Sequence, residues 1–596
     1  MVDGALRVLE VAPRRMRGIT RLALRVLERS SIPSFSRMSL ERRTRRIERL
    51  ESSGSMQLRS LVLLLKSLCG ISYARAPEVQ TVVGSVPRCE LGPGATPPPL
   101  PPHLDRAALA PPENEVERCD VVVVGSGAGG AAAARVLAEA GLEVIVLEEG
   151  EYHDALTYSR DPIDALTTLY RDGGLTACDG RPPIALPVGR AVGGTTVINS
   201  GTCFRAPDDV LRRWRDDHGV PWATDLSAHF EALERDLEVT AVDPARAGRN
   251  AELCRDGADA IGASNGPIPR NTGGVSCCGT CPAGCALDAK RAMHVSELPR
   301  AVAAGARIRA GVRVEKLIVA GGRANGVVSR RSGDTRPYAV AARAVVLAGG
   351  ALGTPELLLR QGIGGGHVGR HLRIQPACWV GARFPGQDVH GWDGVMQSWR
   401  VDEWLDRGLF LEATFTPVAF GAHWLRGAGV AWKERVAHYG ELAVIGVHLR
   451  DRSEGRVRLH AGGDLRLTYS LNRDDAAALR FGIARAAQIH FAAGAEEVYP
   501  QVGGIGALRP GQERTLEESL FSPSALRLEA FHPMGTARMG TSARDSVVDP
   551  SGAVHGLPGA YVADASVLPT ALGANPMLTI MACSRHIARG LAEQLA

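Results

Sequence analysis

Residues 125–130 read GSGAGG, so Gly125, Gly127 and Gly130 fall at the spacing G-x-G-x-x-G. Glycines so placed let backbone N–H groups approach a pyrophosphate at the positive end of a helix. The flanks complete a βαβ unit: Val121 to Val124 as a buried strand, an alanine-rich helix, and a second strand from Val144 to Leu147. That strand ends at Glu148, about 23 residues after Gly125, where a carboxylate can accept hydrogen bonds from ribose hydroxyls. The chemistry implied is dinucleotide binding, and the unit by itself serves nicotinamide and flavin cofactors alike. A second candidate is CCGTCPAGC at 277–285, which holds four of the twelve cysteines. A zinc site draws its thiolates from two separated knuckles, and no second knuckle accompanies this one. No metal is expected there on spacing alone.

The elements that must position these groups belong to a large chain. At 596 residues it is too long for one hydrophobic core, so at least two domains are expected. With 45% apolar residues, 22% charged residues and 69 glycines, the composition is that of a globular α/β protein and excludes disorder and collagen. Residues 1–70 carry 15 Lys/Arg against 6 Asp/Glu, which leaves the remainder mildly acidic beneath an overall charge of +5. Arg17, Arg21, Arg25 and Arg29 form one stripe on a helix, with Ile19, Leu22, Val26 and Leu27 mostly off it. That pattern suits either a solvated face or a peripheral contact with a membrane surface. The N-terminus has no secretory signal pattern, and the apolar run from Leu61 is broken by Lys66, short of the ~20 residues a spanning helix needs. A cytoplasmic protein is the default expectation. A proline-rich stretch, ATPPPLPPHLDRAALAPPENE at 95–115, reads as an extended spacer.

Four further motifs stand in order: GRAVGGTTVINSGTCFR at 189–205, RAVVLAGGALGTP at 343–355, EAFHPMGTARMG at 529–540 and YVADASVLPTALGANPMLTIM at 561–581. From about residue 118 to the C-terminus the chain resembles the glucose–methanol–choline (GMC) family of FAD oxidoreductases. The resemblance implies a Rossmann-like α/β FAD-binding domain and a discontinuous antiparallel-sheet substrate domain, here behind a helical N-terminal extension. The corresponding boundaries are 1–90 for the extension, 91–117 for the linker, 118–370 for FAD binding, 371–525 for the substrate domain and 526–596 for the catalytic segment. It implies that Gly193, Gly194 and Asn199 approach the isoalloxazine, that Val314 holds the adenine through its backbone, and that Asp564 lies near the ribityl and pyrophosphate. Some choline-oxidising members bond FAD covalently through a histidine where this chain has Ile198, so FAD is expected to be dissociable.

By the same resemblance His532 is the general base, an imidazole whose ordinary pKa near ~6.5 suits neutral pH. Many members carry a second histidine at the position of Asn575, and the sterol-oxidising branch carries asparagine. An amide is no base, so Asn575 is expected to donate a hydrogen bond to the substrate oxygen. Asn575 and Pro576 also read as the N-cap and first residue of a helix from Met577, its positive end aimed at the flavin. The implied reaction is oxidation of a CH–OH group by hydride transfer to flavin N5, with O₂ or a quinone as final acceptor. Two readings on the same fold stay open: a sterol or sugar dehydrogenase with an iron–sulfur cluster on Cys277, Cys281 and Cys285, and a non-redox hydroxynitrile lyase. A structural cysteine loop is the main reading, since GCALDAKRAMHVSELPR at 284–300 resembles the turn of the long-chain alcohol oxidase branch. A Cys278–Cys281 pair is a second option, although thiols are expected in a reducing compartment.

Within 371–525 aromatic-rich strands suggest a sheet roofing the flavin, with Trp379, Trp392, Trp399 and Phe415 as either cavity wall or core. Alternation at 456–471 predicts a hairpin with a Gly-Gly-Asp turn. The segment FSRMSLERRTRRIERLESSG, the apolar helix and YARAPEVQTVVG resemble the N-terminal part of long-chain alcohol oxidases. That favours a fatty or otherwise hydrophobic alcohol as substrate.

Overall fold

Serines set the start of two of the N-terminal helices in the computed structural model, which describes residues 2–29, 32–85, 103–112, 116–275, 279–519 and 521–596. Helices α1 (Val2–Val11) and α2 (Arg14–Arg29) precede α3 (Leu40–Glu51) and α4 (Met56–Ala74). Ser39 and Ser55 accept from the backbone N–H groups of Arg42 and Leu58, which satisfies donors that a helix start otherwise leaves open. Helix α5 (Pro77–Val83) has proline in its first turn and ends at Gly84 in the left-handed region (φ 72°). Lys66 of α4 pairs with Glu51 of α3 at 2.7 Å, so the charge that interrupts the apolar run is compensated by the neighbouring helix. Among the described residues no helix is long and apolar enough to cross a membrane. These helices do not stand apart as an appendage: Val8 and Leu68 pack on Ile163, and Gly70 lies against His423.

Much of the proline-rich stretch lies outside the described residues, but 103–112 departs from a spacer. A short helix, Arg106–Leu109, forms there behind the cap Asp105, and Leu104 and Leu109 are buried in the core of the first large sheet.

That sheet has strands β1 (Val116–Val124), β2 (Val144–Leu147), β3 (Arg307–Arg309), β4 (Val312–Ala320), β5 (Arg323–Arg331) and β6 (Pro337–Leu347), in the order β3-β2-β1-β6-β5-β4. The first four run parallel, and β5 and β4 return antiparallel. The long strand β6 changes partner along its length: its first half pairs with β5, and Val345–Leu347 pair in parallel with Ala560–Val562 near the C-terminus. Helix α6 (Ala128–Glu139) follows β1, and its small residues let it lie close to the sheet. A Cβ on Gly130 would stand 2.0 Å from the Gly125 carbonyl oxygen, so only glycine permits this packing.

The second sheet comprises β7 (Ala377–Arg383), β8 (Gln397–Val401), β9 (Leu409–Thr414), β10 (Leu442–Leu449) and β11 (Glu497–Tyr499), ordered β11-β7-β10-β9-β8 with Asn265–Pro267 outside β8. All its pairs are antiparallel. Helix α7 (Arg473–Ala492) covers one face, where Gly482 admits Val447 and Leu409. On β7, β10 and β9, Trp379, Gly446 and Glu412 stand in one row, and His448 follows two residues along β10. Gly446 makes the room these groups need: a Cβ there would meet the Trp379 ring at 2.7 Å and His448 Nε2 at 3.1 Å. The hairpin at Arg456–Leu459 and Leu465–Thr468 forms as expected from its alternation, with Gly463 at φ 79° in the turn. Helix α8 (Met577–Leu595) closes the chain against α6.

Candidate active site

A cavity of about 1750 Å³ runs between the two sheets. That exceeds the ~300–1,000 Å³ usual for one small-molecule site, so it has room for a dinucleotide and a substrate together. Gly125, Gly127, Glu148, Gly194, Asn199, Val314, His532, Asp564, Asn575, Pro576 and Met577 all line it. These positions are spread along the chain from 125 to 577, and the fold gathers them around one space.

The nucleotide end fits FAD by its donor set and its tight glycines. Gly125 sits at φ 105°, where a Cβ would stand 2.3 Å from the Ala348 carbonyl oxygen. Gly127 occupies the N-cap of α6 with no side chain over the first N–H groups, which leaves them open to an anion. Gly194 lies at φ 56°, where a Cβ would stand 2.8 Å from the Gly127 Cα, so the 193–194 turn touches the glycine loop. Glu148 is buried and accepts from Ser126 N (3.0 Å), Ser126 Oγ (2.6 Å) and Gly150 N (2.9 Å). Burial pushes its pKa up, against these donors. Its carboxylate thus braces the glycine loop from the end of β2 and lines the cavity beside it. Asp564 is held in the same way, accepting from Gly350 N, Thr354 Oγ1 and Ser566 N.

Two of the glycines that the sequence singles out act behind the cavity wall. Gly130 serves helix–strand packing, and Gly193 donates to Ser126 Oγ at 2.9 Å while turning at φ 101°. Asn199 donates to Met577 Sδ at 3.2 Å, which ties the glycine motif to the start of α8. At that start the structure corrects one expectation. The helix begins at Met577 with Pro576, not Asn575, at the N-cap. Among the described residues the Asn575 amide makes no hydrogen bond, so it does not cap the helix and remains available to the cavity it lines.

His532 and Asn575 are joined through a residue the sequence did not reveal. Gln375 accepts at Oε1 from Leu572 N (2.9 Å) and Gly573 N (2.7 Å), and donates at Nε2 to Ala574 O (3.0 Å) and His532 Nδ1 (3.3 Å). One amide therefore holds the loop of His532 against the loop of Asn575. Enclosure pushes the His532 pKa down to about 3, with the neighbouring His448 adding to the effect. The ring centroids of His448 and His532 are 6.2 Å apart, and His448 Nε2 lies 3.1 Å from the carboxylate of fully buried Glu412. No sequence motif marks Gln375, His448 or Glu412. The only hint at Gln375 is a polar residue before a proline in a loop, which says nothing of its partners.

The four aromatics divide: Trp379 and Phe415 line the cavity, whereas Trp392 and Trp399 are packed in the core. Sequence also did not reveal the far wall. Val8 of α1, Met16 and Ile19 of α2, and Leu64, Leu68 and Ile71 of α4 line the same cavity. Of the cysteine window, Cys277 and Cys278 lie outside the described residues. Arg270 Nη2 contacts Cys281 Sγ at 3.6 Å, and the Lys290 N–H points at Cys285 Sγ at 3.4 Å. Among the described residues no group of three or more His, Cys, Asp or Glu is arranged to hold a metal ion.

A flavin cradle under an antiparallel roof defines an FAD-dependent oxidoreductase, and sequence comparison gives its family: the chain belongs to the GMC oxidoreductases, whose N- and C-terminal profiles match residues 166–377 and 451–584. An FAD-binding-domain profile matches 120–175. Among individual relatives, Rv0492c of Mycobacterium tuberculosis, described as an uncharacterised GMC-type oxidoreductase, is 42% identical over 79% of this chain and 76% of its own length. A long-chain-alcohol oxidase of Arabidopsis thaliana is 30% identical over 80% of this chain and 68% of its own. The crystal structure of pyridoxine 4-oxidase from Mesorbium loti superposes with a TM-score of 0.58 at 18% identity, covering 79% of this chain and 99% of that one, which shows the shared fold.

Proposed function

We propose that the chain oxidises the CH–OH group of a long, hydrophobic alcohol to the carbonyl. The observation that carries this reading is the apolar wall supplied by α1, α2 and α4 to the cavity that also holds His532. An alkyl chain lying along Leu64, Leu68 and Ile71 would leave water at ~25 cal/mol per Å² of apolar surface. Similarity to a long-chain-alcohol oxidase supports the same class. Bound FAD supplies the hydride acceptor. The protein's own part is to grip the hydroxyl oxygen between His532 and Asn575, to exclude water beneath Trp379 and Phe415, and to handle the hydroxyl proton among His532 and its neighbours.

The adenine end of FAD would rest by Val314, the pyrophosphate on Gly125, Gly127 and the first turn of α6, and the ring near Gly194, Asn199 and Met577. Ile198 offers no side-chain nucleophile, so FAD is released intact on denaturation. The arginine face of α2 together with exposed Leu22 and Leu24 (both 52% exposed) supports peripheral contact with an anionic lipid surface. The test is anaerobic mixing of the FAD-loaded protein with straight-chain 1-alkanols of increasing length. Bleaching of the yellow flavin that quickens with chain length supports the proposal. No bleaching with any alcohol, with cyanohydrin cleavage instead, would favour the non-redox lyase.

A further inference from the structure

We infer that Gln375 is a positioning residue that fixes which nitrogen of His532 carries the proton, so that the neutral ring meets the substrate oxygen as an Nε2–H donor. The inference rests on the proposal that His532 faces the hydroxyl.

The Gln375 amide cannot turn over. Its Oε1 takes two backbone N–H groups, from Leu572 and Gly573, and its Nε2 gives a hydrogen to the Ala574 carbonyl. Exchanging oxygen and nitrogen would set donors against donors twice and an acceptor against a carbonyl, leaving buried polar groups unpaired. The second hydrogen on Nε2 is therefore the one directed at His532 Nδ1, 3.3 Å away. A neutral imidazole that accepts at Nδ1 carries its hydrogen at Nε2. Gln375 does not line the cavity and His532 does, so Nε2, on the ring edge away from Gln375, is the nitrogen on the substrate side.

The support behind Gln375 is built for this. It is a buried non-glycine residue at φ 46°, a strained conformation that persists where its surroundings over-determine it. Here the N–H groups of Ile374 and Gln375 both donate to the Asp451 carboxylate, which also accepts from the Tyr469 hydroxyl at 2.8 Å. Protonating His532 would add an Nδ1–H facing the amide NH₂, which agrees with the downward push on its pKa by enclosure and by His448.

In this tautomer His532 and Asn575 are two donors on one oxygen, an arrangement that stabilises negative charge as it develops there. The hydroxyl proton then leaves by a different group: its O–H bond breaks and a new N–H bond forms on His448, the adjoining imidazole on the cavity wall. The buried Glu412 carboxylate, 3.1 Å from His448 Nε2, balances the cation. The titratable and charged groups around this part of the cavity are His532 and Glu529 from the 529–540 loop, His448 from β10, Glu412 from β9, His423, which lies 3.6 Å from Glu529, and Arg527.

The tautomer can be read without turnover, by two-bond ¹H–¹⁵N correlation on protein labelled at histidine nitrogen, with the His532 signal assigned by its loss in His532→Gln. The expected result is an Nε2–H pattern in the wild type, changed to Nδ1–H or imidazolium in Gln375→Glu, whose carboxylate would accept from Nδ1. An Nδ1–H pattern in the wild type would overturn the inference. A second readout is the pH profile of kcat/KM in His532→Gln: its acidic limb should persist, and its disappearance would return the base role to His532. Because the NMR arm needs no substrate, failure of the inference is distinguishable from failure to find an alcohol that is oxidised.

Discussion

The cofactor cradle and the wall proposed to hold the substrate are built on opposite plans. The cradle is made of backbone: glycines at 125, 127 and 194 clear space, and Glu148 and Asp564 are spent on holding loops in shape. The wall is made of side chains drawn from α1, α2, α4 and the second sheet, and its polar centre hangs on one amide. A backbone site tolerates almost no added atoms. A side-chain site can be re-cut residue by residue, so substrate choice can change on a fixed cofactor frame.

The largest effect expected from this contrast is in the cradle. Gly125→Ala places a methyl 2.3 Å from a backbone oxygen at a positive φ, and FAD content measured by absorbance should drop more than ~10-fold. In the wall, His532→Ala should keep FAD and lose at least ~10²-fold in kcat, as removal of a proton-handling or oxyanion-holding group does; turnover equal to wild type would remove His532 from the site. A smaller and selective change is expected from Leu64→Asn: kcat/KM for long-chain alcohols falls by roughly 10-fold while a short alcohol is unaffected, since only buried methylenes lose their apolar contact. Equal loss for short and long alcohols would place the chain elsewhere. Replacing Arg17, Arg21 and Arg25 by Glu should abolish sedimentation with anionic vesicles and leave oxidation of a soluble alcohol unchanged.

The smallest effect is on stability against pH. Burial holds the folded-state pKa of His490 at about 4 and that of His532 at about 3, both below the unfolded value. Between those values and ~6.5 the unfolded chain binds more protons, so stability from these groups is complete above ~6.5 and is lost as pH falls. The thermal midpoint should therefore decline from pH 6.5 towards 4, less steeply in His490→Gln than in wild type.

The cradle was legible in the sequence because its constraints are local. A glycine that a turn requires, or an acidic strand end a fixed distance from it, leaves a spacing that can be read without knowing the rest of the fold. The apolar helix around Leu61 was legible for a similar reason, through its run of large aliphatic side chains. What it packs against was not, because nothing in LVLLLKSL says that Leu64 and Leu68 will border a flavin cavity. Gln375 shows the limit most sharply: all four of its side-chain partners are more than 150 positions away, so its role exists only once β7 and the C-terminal loops meet. The helix cap slipped from Asn575 to Pro576 for a comparable reason. The loop that Gln375 grips fixes where the backbone of Leu572 to Ala574 can go.

The double pairing of β6 also sets a timetable for biosynthesis. Val345–Leu347 leave the ribosome long before Ala560–Val562, their parallel neighbours. At ~5 to 20 residues per second that delay is of the order of 10 to 40 seconds, during which one flank of the nascent sheet waits for its last strand. A chain stopped before residue 560 would lack that strand and the whole of α8, so a premature stop there would leave both large sheets mostly made and no oxidoreductase.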